Sequence, residues 1–224
     1  DETAAAVVCD ARRVRSSLVY SQIAEHAPYG GVVPEIAGRS HARRLPPLIA
    51  EAVRRAGIDW SDLDAVAVTR GPGLAASLLV GLVAAESLSR RLAVPLRGIH
   101  HLHAHLMSPF IGEEAPDPAD SLPMIALTVS GGHTCLVRVD APGSVHLLGR
   151  SLDDAAGEAL DKGAAMLGLG YPGGPALERA AAGGDPAYVA FPRGLAQPDG
   201  DVAAGGLDPA CCFSFSGLKT SLRN

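Results

Sequence analysis

The stretch from residue 63 to residue 99 constrains the fold more than any other. A short apolar run, "LDAVAVTR", is broken by "GPGL", followed by "AASLLVGLVAAESLSRRL", which has helical length and composition, and then by a second short run in "VPLRGI". Strand, break, helix and strand in that order specify β–α alternation. The side chains available agree: 47% of the chain is hydrophobic but only 4% is aromatic, so Ala, Val and Leu must build the core. Such a supply suits helices packed on a sheet better than a sandwich or a base-stacking platform. Upstream, "TAAAVVCD" and "SSLVYSQIA" read as strands joined by a tight basic turn, and "EIAGRSHARRLPPLIAEAVRRAG" reads as a helix interrupted or kinked at Pro46 and Pro47.

The acid- and proline-rich connection "EEAPDPADSLP" marks a boundary, giving domains at 1–115 and 116–224. Past it come strand "MIALTVS", turn "GGH", strand "TCLVRVD" and a third strand near "VHLLGR". "SLDDAAGEALDKGAAMLGLG" and "GPALERAAAGG" read as helices, and residues 191–212, rich in Gly, Pro and Asp, as a long loop. No repeat of 20–50 residues is visible. The halves share a loose plan of strands, glycine turn and helix, the plan of a duplicated α/β fold.

Charge and cysteine usage exclude several classes. A formal net charge of −5 gives no general basic face, so RNA would need a local patch or a helper subunit. Arg39, Arg43 and Arg44 form the best local basic cluster, although arginines on a helix face are commonly just solvated. Cys9, Cys135, Cys211 and Cys212 form no CxxC pair, which disfavours a thiolate metal site. No apolar run has membrane-spanning length, and a soluble, cytoplasmic chain cut at both ends is expected.

Half of the eight histidines fall within "HHLHAH", residues 100–105. On a helix His101 and His105 share one face and His100 and His103 another, so two ligand pairs compete. Zinc or iron suits either pair, with a third, carboxylate-type ligand needed from elsewhere. "TVSGGHT" places Ser130, Gly131, Gly132 and His133 at a turn whose amides and hydroxyl suit phosphate or carboxylate oxygens, or which is an ordinary hairpin turn. "LGYPGGPALE" sets Gly173 and Gly174 at a helix start, an anion site or simply a cap. In "DDAAGEALDKGA", helical spacing puts Asp154, Glu158 and Asp161 on one face, either to accept from ribose hydroxyls or as a solvated acidic face. "SGLKTS" is not a P-loop, and no GxSxG elbow occurs.

Seven collinear stretches, "DETAAAVV", "VPEIAGRSHARRL", "TRGPGL", "HHLHAHL", "TVSGGHTCLV", "DDAAGEALDKGAAMLGLGYPGGP" and "FSFSGLKTS", resemble the tRNA N6-adenosine threonylcarbamoyltransferases of the bacterial TsaD type, formerly called glycoproteases. The resemblance implies an actin-like, sugar-kinase-like duplicated α/β fold with mixed sheets flanked by helices. It also implies transfer of a threonylcarbamoyl group from threonylcarbamoyl-adenylate to N6 of adenosine 37 in tRNAs reading codons that begin with A. One divalent ion per subunit, Fe2+ or Zn2+, would be held by His101 and His105, matching the outer histidines of the family's HxExH pattern, whose middle acid is His103 here. Val129, Ser130, Gly131 and Gly132 match the turn that holds the adenylate. Asp161 and Gly174 match nucleotide contacts, Glu178 is a further candidate, and Asp1 and Glu2 match the acidic pair of the opening phosphate loop. The family pattern adds a hydrophobic first strand ahead of Asp1. Beyond Asn224 it adds an Asn contacting nucleotide and an Asp as third metal ligand, so this stretch alone is expected to be inactive. Expected partners are tRNA, a paralogous subunit of the same fold and a small P-loop ATPase, with no membrane. The alternatives are an ATP-dependent kinase of the same fold, a non-catalytic paralogous partner subunit, which would lack the histidine pattern, and a zinc endopeptidase, which the missing HExxH disfavours.

Overall fold

The computed structural model describes residues 2–195 and 204–223, so Asp1, matched above to the opening acidic pair, lies outside the described residues. The chain is mixed α/β throughout and divides into two compact units, Asp1–Asp117 and Pro118–Asn224.

In the first unit β1 (Glu2–Cys9) and β2 (Arg13–Ser21) form an antiparallel pair. Their turn places Asp10 and Ala11 at φ 54° and 56°. After the single turn α1 (Ile23–His26) comes the long helix α2 (Pro34–Ala56), which packs on β1 and β2. β3 (Val66–Gly71), α3 (Ala75–Leu92) and β4 (Leu96–His100) form a βαβ unit with β3 and β4 parallel, as the alternation in the sequence requires. α4 (His101–Met107) follows without a linker. The core here is alanine-rich, with Ala37, Ala52, Val53, Ala56, Ala85, Leu106 and Phe110 buried.

The proline pair does not interrupt α2, which runs unbroken through Pro46 and Pro47. Each proline removes a hydrogen bond to the carbonyl four residues earlier, at Ala42 and Arg43. All four of these residues are exposed, so water can serve the orphaned carbonyls. Burial of Ala37 and Ser40 before the pair, and of Ala52, Val53 and Ala56 after it, holds both halves on the same sheet.

A buried polar chain joins β1, α1 and α2. The Val33 amide donates to Nδ1 of the fully buried His26, so Nε2 of that ring carries the proton and donates to Gln22 Oε1 at 3.1 Å. The Gln22 amide then donates to His41 Nδ1 at 3.2 Å, where the Thr3 hydroxyl also donates at 2.8 Å. Arg12 straps the end of the unit by donating to the carbonyls of Ala115 and Pro116 and pairing with Asp117.

The second unit opens with the single turn α5 (Pro118–Ser121) and an antiparallel sheet in the order β5–β6–β7, made of Met124–Val129, Thr134–Ala141 and Ser144–Arg150. Three helices follow: α6 (Ala156–Met166), α7 (Gly173–Ala181) and α8 (Ser216–Arg223), with α7 and α8 both packed on α6. α6 starts five residues later than its periodicity suggests. The Ser151 amide donates to the Thr134 carbonyl and the Leu152 amide to Phe213, so this backbone is committed to neighbouring chain before a helix can begin. Of the stretch read as a long loop, residues 191–195 and 204–212 are described and carry one short 3-10 turn, Pro209–Cys211, while 196–203 lie outside the described residues.

Candidate functional site

The histidine cluster straddles a strand end and a helix start. His100 closes β4, and His101, His103 and His105 lie on α4, so the two expected pairs are not equivalent. His101 and His105, one turn apart, bring their Nε2 atoms to 3.1 Å. Two nitrogens at about 2.0–2.1 Å from one ion, with bonds at tetrahedral or right angles, stand roughly 2.8–3.4 Å apart, so this pair fits a shared cation. His100 and His103 instead tilt their rings at 38° with centroids 4.5 Å apart. Burial, then His100 and Arg70 nearby, push the His103 imidazole below its ordinary pKa, which favours the neutral ring. The buried Nδ1 of His100 has no hydrogen-bond partner among the described residues. No group of three or more His, Cys, Asp or Glu side chains arranged to hold a metal occurs among those residues, so the histidine pair is a two-donor set. Glu2, the other matched residue of this unit, is exposed at the start of β1.

In the second unit α6 organises the matched residues. The turn Ser130–His133 joins β5 to β6 as a hairpin, with the Ser130 amide donating to the His133 carbonyl at 2.8 Å and the His133 amide to Ser130 Oγ at 3.1 Å. The hairpin reading of "SGGH" therefore holds, and the Ser130 hydroxyl is engaged within its own turn. Neither Gly131 nor Gly132 needs to be glycine for internal reasons, since a Cβ on either meets nothing within 4 Å. Their flat amide surface is open to an approaching group. Val129, just before them, is 56% exposed.

The helix end beneath the turn is the tight contact. The Gly157 amide donates to the Ser130 carbonyl at 3.2 Å, and a Cβ at Gly157 would stand 2.7 Å from both the Ser130 oxygen and the Gly131 Cα. Thr134, only 4% exposed, accepts from the Ala156 amide at 2.9 Å. Sequence reasoning missed both residues. A glycine in the first turn of an otherwise good helix former was the available signal for Gly157; a threonine in a strand gave none.

The acidic run does not form a single carboxylate face. Asp154 precedes α6 and holds Lys162 and Lys219 at 2.8 and 2.9 Å, and Lys162 also meets Glu158 at 2.8 Å. The hydrogen bonds from these lysines hold the Asp154 carboxyl below its ordinary range and push the Lys162 ammonium upward. Burial works against ionisation of Asp153, yet the Ser214 and Ser216 hydroxyls and the Phe215 and Ser216 amides still hold it low. It thereby caps α8. Asp161 accepts from the Gly173 amide at 2.7 Å, fixing the start of α7 against α6. A Cβ at Gly173 would lie 2.5 Å from the Asp161 Cα, so glycine is required at this crossing. Gly174 and Glu178 sit side by side on α7 in a shallow apolar depression with Leu160, Pro175, Leu177 and Ala181. Thus the turn and the α7 start are both fixed to α6, and Asp161 and Gly174 are separated by one residue's hydrogen bond.

The family model for tRNA N6-adenosine threonylcarbamoyltransferase (TsaD) matches residues 13–224. The chain belongs to that family. Relatives bearing that name include proteins from Trichlorobacter lovleyi, 49% identical over 99% of this chain and 60% of its own length, and Bordetella avium, 51% identical over 99% and 60%. The chain therefore spans about 60% of the length of the curated relatives it matches. A solved structure titled "YeaZ from Pseudomonas aeruginosa" is 20% identical over 65% of this chain and 59% of that one, with a TM-score of 0.40. Six of the seven stretches that carried the resemblance lie wholly within the matched range, and "DETAAAVV", residues 1–8, precedes it. Among the described residues no helix is long and apolar enough to cross a membrane.

Proposed function

We propose that this chain is the metal-pair and adenylate-turn part of an enzyme that moves a threonylcarbamoyl group from threonylcarbamoyl-adenylate to N6 of adenosine 37 in tRNAs reading codons that begin with A. The observation that carries the reading is the family match across residues 13–224. Two pieces of geometry support it: the converging Nε2 atoms of His101 and His105, and an open diglycine turn clamped on a helix start. A kinase of the same fold has no use for the histidine pair, and a non-catalytic paralogue would lack it.

The reaction joins N6 of adenosine to the carbamoyl carbon and breaks that carbon's bond to the phosphate oxygen, so AMP departs with the bonding electrons and N6 loses a proton. The donor is already an activated anhydride, so positioning and charge stabilisation carry the work and no covalent nucleophile is needed. Gly131 and Gly132 receive the phosphate, with Val129 beside them, and Asp161, Gly174 and Glu178 bound the nucleoside. Asp161 then serves twice, since one of its oxygens already holds the Gly173 amide. His101 and His105 would hold one divalent ion, iron or zinc, which would supply Lewis acidity for the transfer when bound. In this reading a third carboxylate ligand comes from the part of the family's length outside this chain. The other partners are tRNA, a paralogous subunit and a small P-loop ATPase, in the cytoplasm.

The test uses threonylcarbamoyl-adenylate labelled at the carbamoyl carbon with unmodified tRNA and the family-length enzyme carrying this sequence. Label should reach tRNA with the unaltered sequence and fall at least 100-fold with His101→Ala plus His105→Ala. Retention of full transfer by that double variant removes the metal pair from the reaction.

A further inference from the structure

The chain contains four phenylalanines, and three of them, Phe191, Phe213 and Phe215, line one open trough beside the start of α8. Such concentration is unexpected in a chain that is 4% aromatic. Phe213 and Phe215 hold their rings parallel within 12° at a centroid separation of 6.5 Å, and Phe191 is 43% exposed. Arg193 shares the lining, is exposed, and makes no hydrogen bond or ion pair among the described residues. The trough is held in shape from below. Asp153 grips Ser214 and Ser216, the Phe213 amide donates to the Arg150 carbonyl, and the Phe213 carbonyl accepts from Leu152. A Cβ at Gly194 would stand 2.1 Å from the Ser214 carbonyl, so the two segments that form the walls touch backbone to backbone.

Flat aromatic faces next to an unpaired guanidinium are the elements by which proteins hold unpaired nucleobases: the rings stack on a base and the cation meets the adjoining phosphate. Asp153, which grips the Ser214–Ser216 wall, has its charge taken up by two hydroxyls and two amides and so opposes a phosphate little. We propose that this trough is an RNA subsite that stacks an unpaired base of the substrate tRNA, with Phe191 as the exposed stacking face and Arg193 on the backbone phosphate. It rests on the proposed tRNA reaction and adds to it a binding element outside the adenylate turn. Arg193 also adds a local cation to a chain whose net charge is −5.

The experiment measures binding of an unmodified tRNA anticodon stem-loop by fluorescence anisotropy, using the family-length protein and its Phe191→Ala, Phe191→Trp and Arg193→Gln variants. Phe191→Ala should weaken RNA binding about 5- to 100-fold, the range expected for one lost base stack. Phe191→Trp should restore it, and Arg193→Gln should weaken it while flattening its salt dependence. Affinity for threonylcarbamoyl-adenylate and the thermal midpoint should stay unchanged in all three. If the unaltered protein binds the stem-loop and Phe191→Ala binds it equally well, this inference fails while the reaction stands. If the unaltered protein, with its partner subunits present, binds neither the stem-loop nor full-length unmodified tRNA, the proposed reaction itself fails. If Phe191→Ala lowers the thermal midpoint with RNA affinity intact, the trough is covered by protein, and the inference is likewise overturned.

Discussion

At the scale of single residues, the contacts that set the candidate site are backbone approaches that side-chain chemistry does not advertise. Gly157 is the clearest case, because the first turn of α6 meets the Ser130–Gly131 backbone where any Cβ would stand 2.7 Å away. Gly157→Val should therefore push the turn off the helix, destabilising the protein by about 1–3 kcal/mol and abolishing adenylate binding. Urea unfolding and calorimetric titration check the two effects separately. Gly131→Val gives the needed contrast: its Cβ meets no protein atom within 4 Å, so it should cost adenylate affinity with little change in stability. Should Gly157→Val bind adenylate normally, the clamp beneath the turn has no part in shaping it.

At the scale of elements, legibility followed periodicity. The strands and helices of residues 63–99 and the β5–β6 hairpin were readable because alternation and turn chemistry are local signals. The start of α6 was not, since Asp153 and Asp154 continue the helical pattern while their backbone neighbourhood is taken by Thr134 and Phe213, twenty and sixty residues away. The ion pairs of Asp154 with Lys162 and Lys219 were equally invisible: spacing alone placed Asp154 on a helix face with Glu158 and Asp161. His101 and His105 were legible as a pair because they stand one turn apart, and both lie on one short helix with their Nε2 atoms 3.1 Å apart. The proline pair did not interrupt α2, since packing at both ends of the helix overrides a local break. That helix carries a cost the sheet contacts offset, so Pro46→Ala and Pro47→Ala should each raise stability by about 1–3 kcal/mol, below the full helix-interior penalty because proline also restricts the unfolded chain. The urea midpoint and helical circular dichroism report it. A drop in stability would mean that the rings make contacts worth more than the missing hydrogen bonds.

At the scale of the whole molecule, the two compact units are held by groups that titrate in different ranges, and this separates their responses to acid. In the first unit burial lowers the pKa of His41 from its ordinary 6.5. The folded ring, accepting from Thr3 and Gln22, binds a proton less readily than the unfolded one. Stability from this group is thus present above pH 6.5 and declines as the pH falls below it. In the second unit Asp153 and Asp154 are held below the ordinary 3.8, so their contribution is fully present above that value and is lost as the pH falls through their lowered values. Acid should therefore begin to weaken the first unit as the pH falls below 6.5, while α8 stays latched until the pH is below 3.8. Trp60 is the only tryptophan of the chain and lies in the first unit, so its fluorescence follows that unit alone. Its urea midpoint should fall between pH 7.5 and pH 5.5 under a constant protein concentration, and His41→Gln, which keeps an acceptor without a titrating ring, should remove much of that fall. Proteolysis of the 205–223 region, read by mass spectrometry, should stay slow over the same interval and accelerate only once the pH is below 3.8, with Asp154→Asn already fast at neutral pH. A Trp60 midpoint that does not move between pH 7.5 and 5.5 would show that the Thr3–Gln22–His41 chain accepts a proton as easily folded as unfolded, and the acid order of the two units would then be set elsewhere.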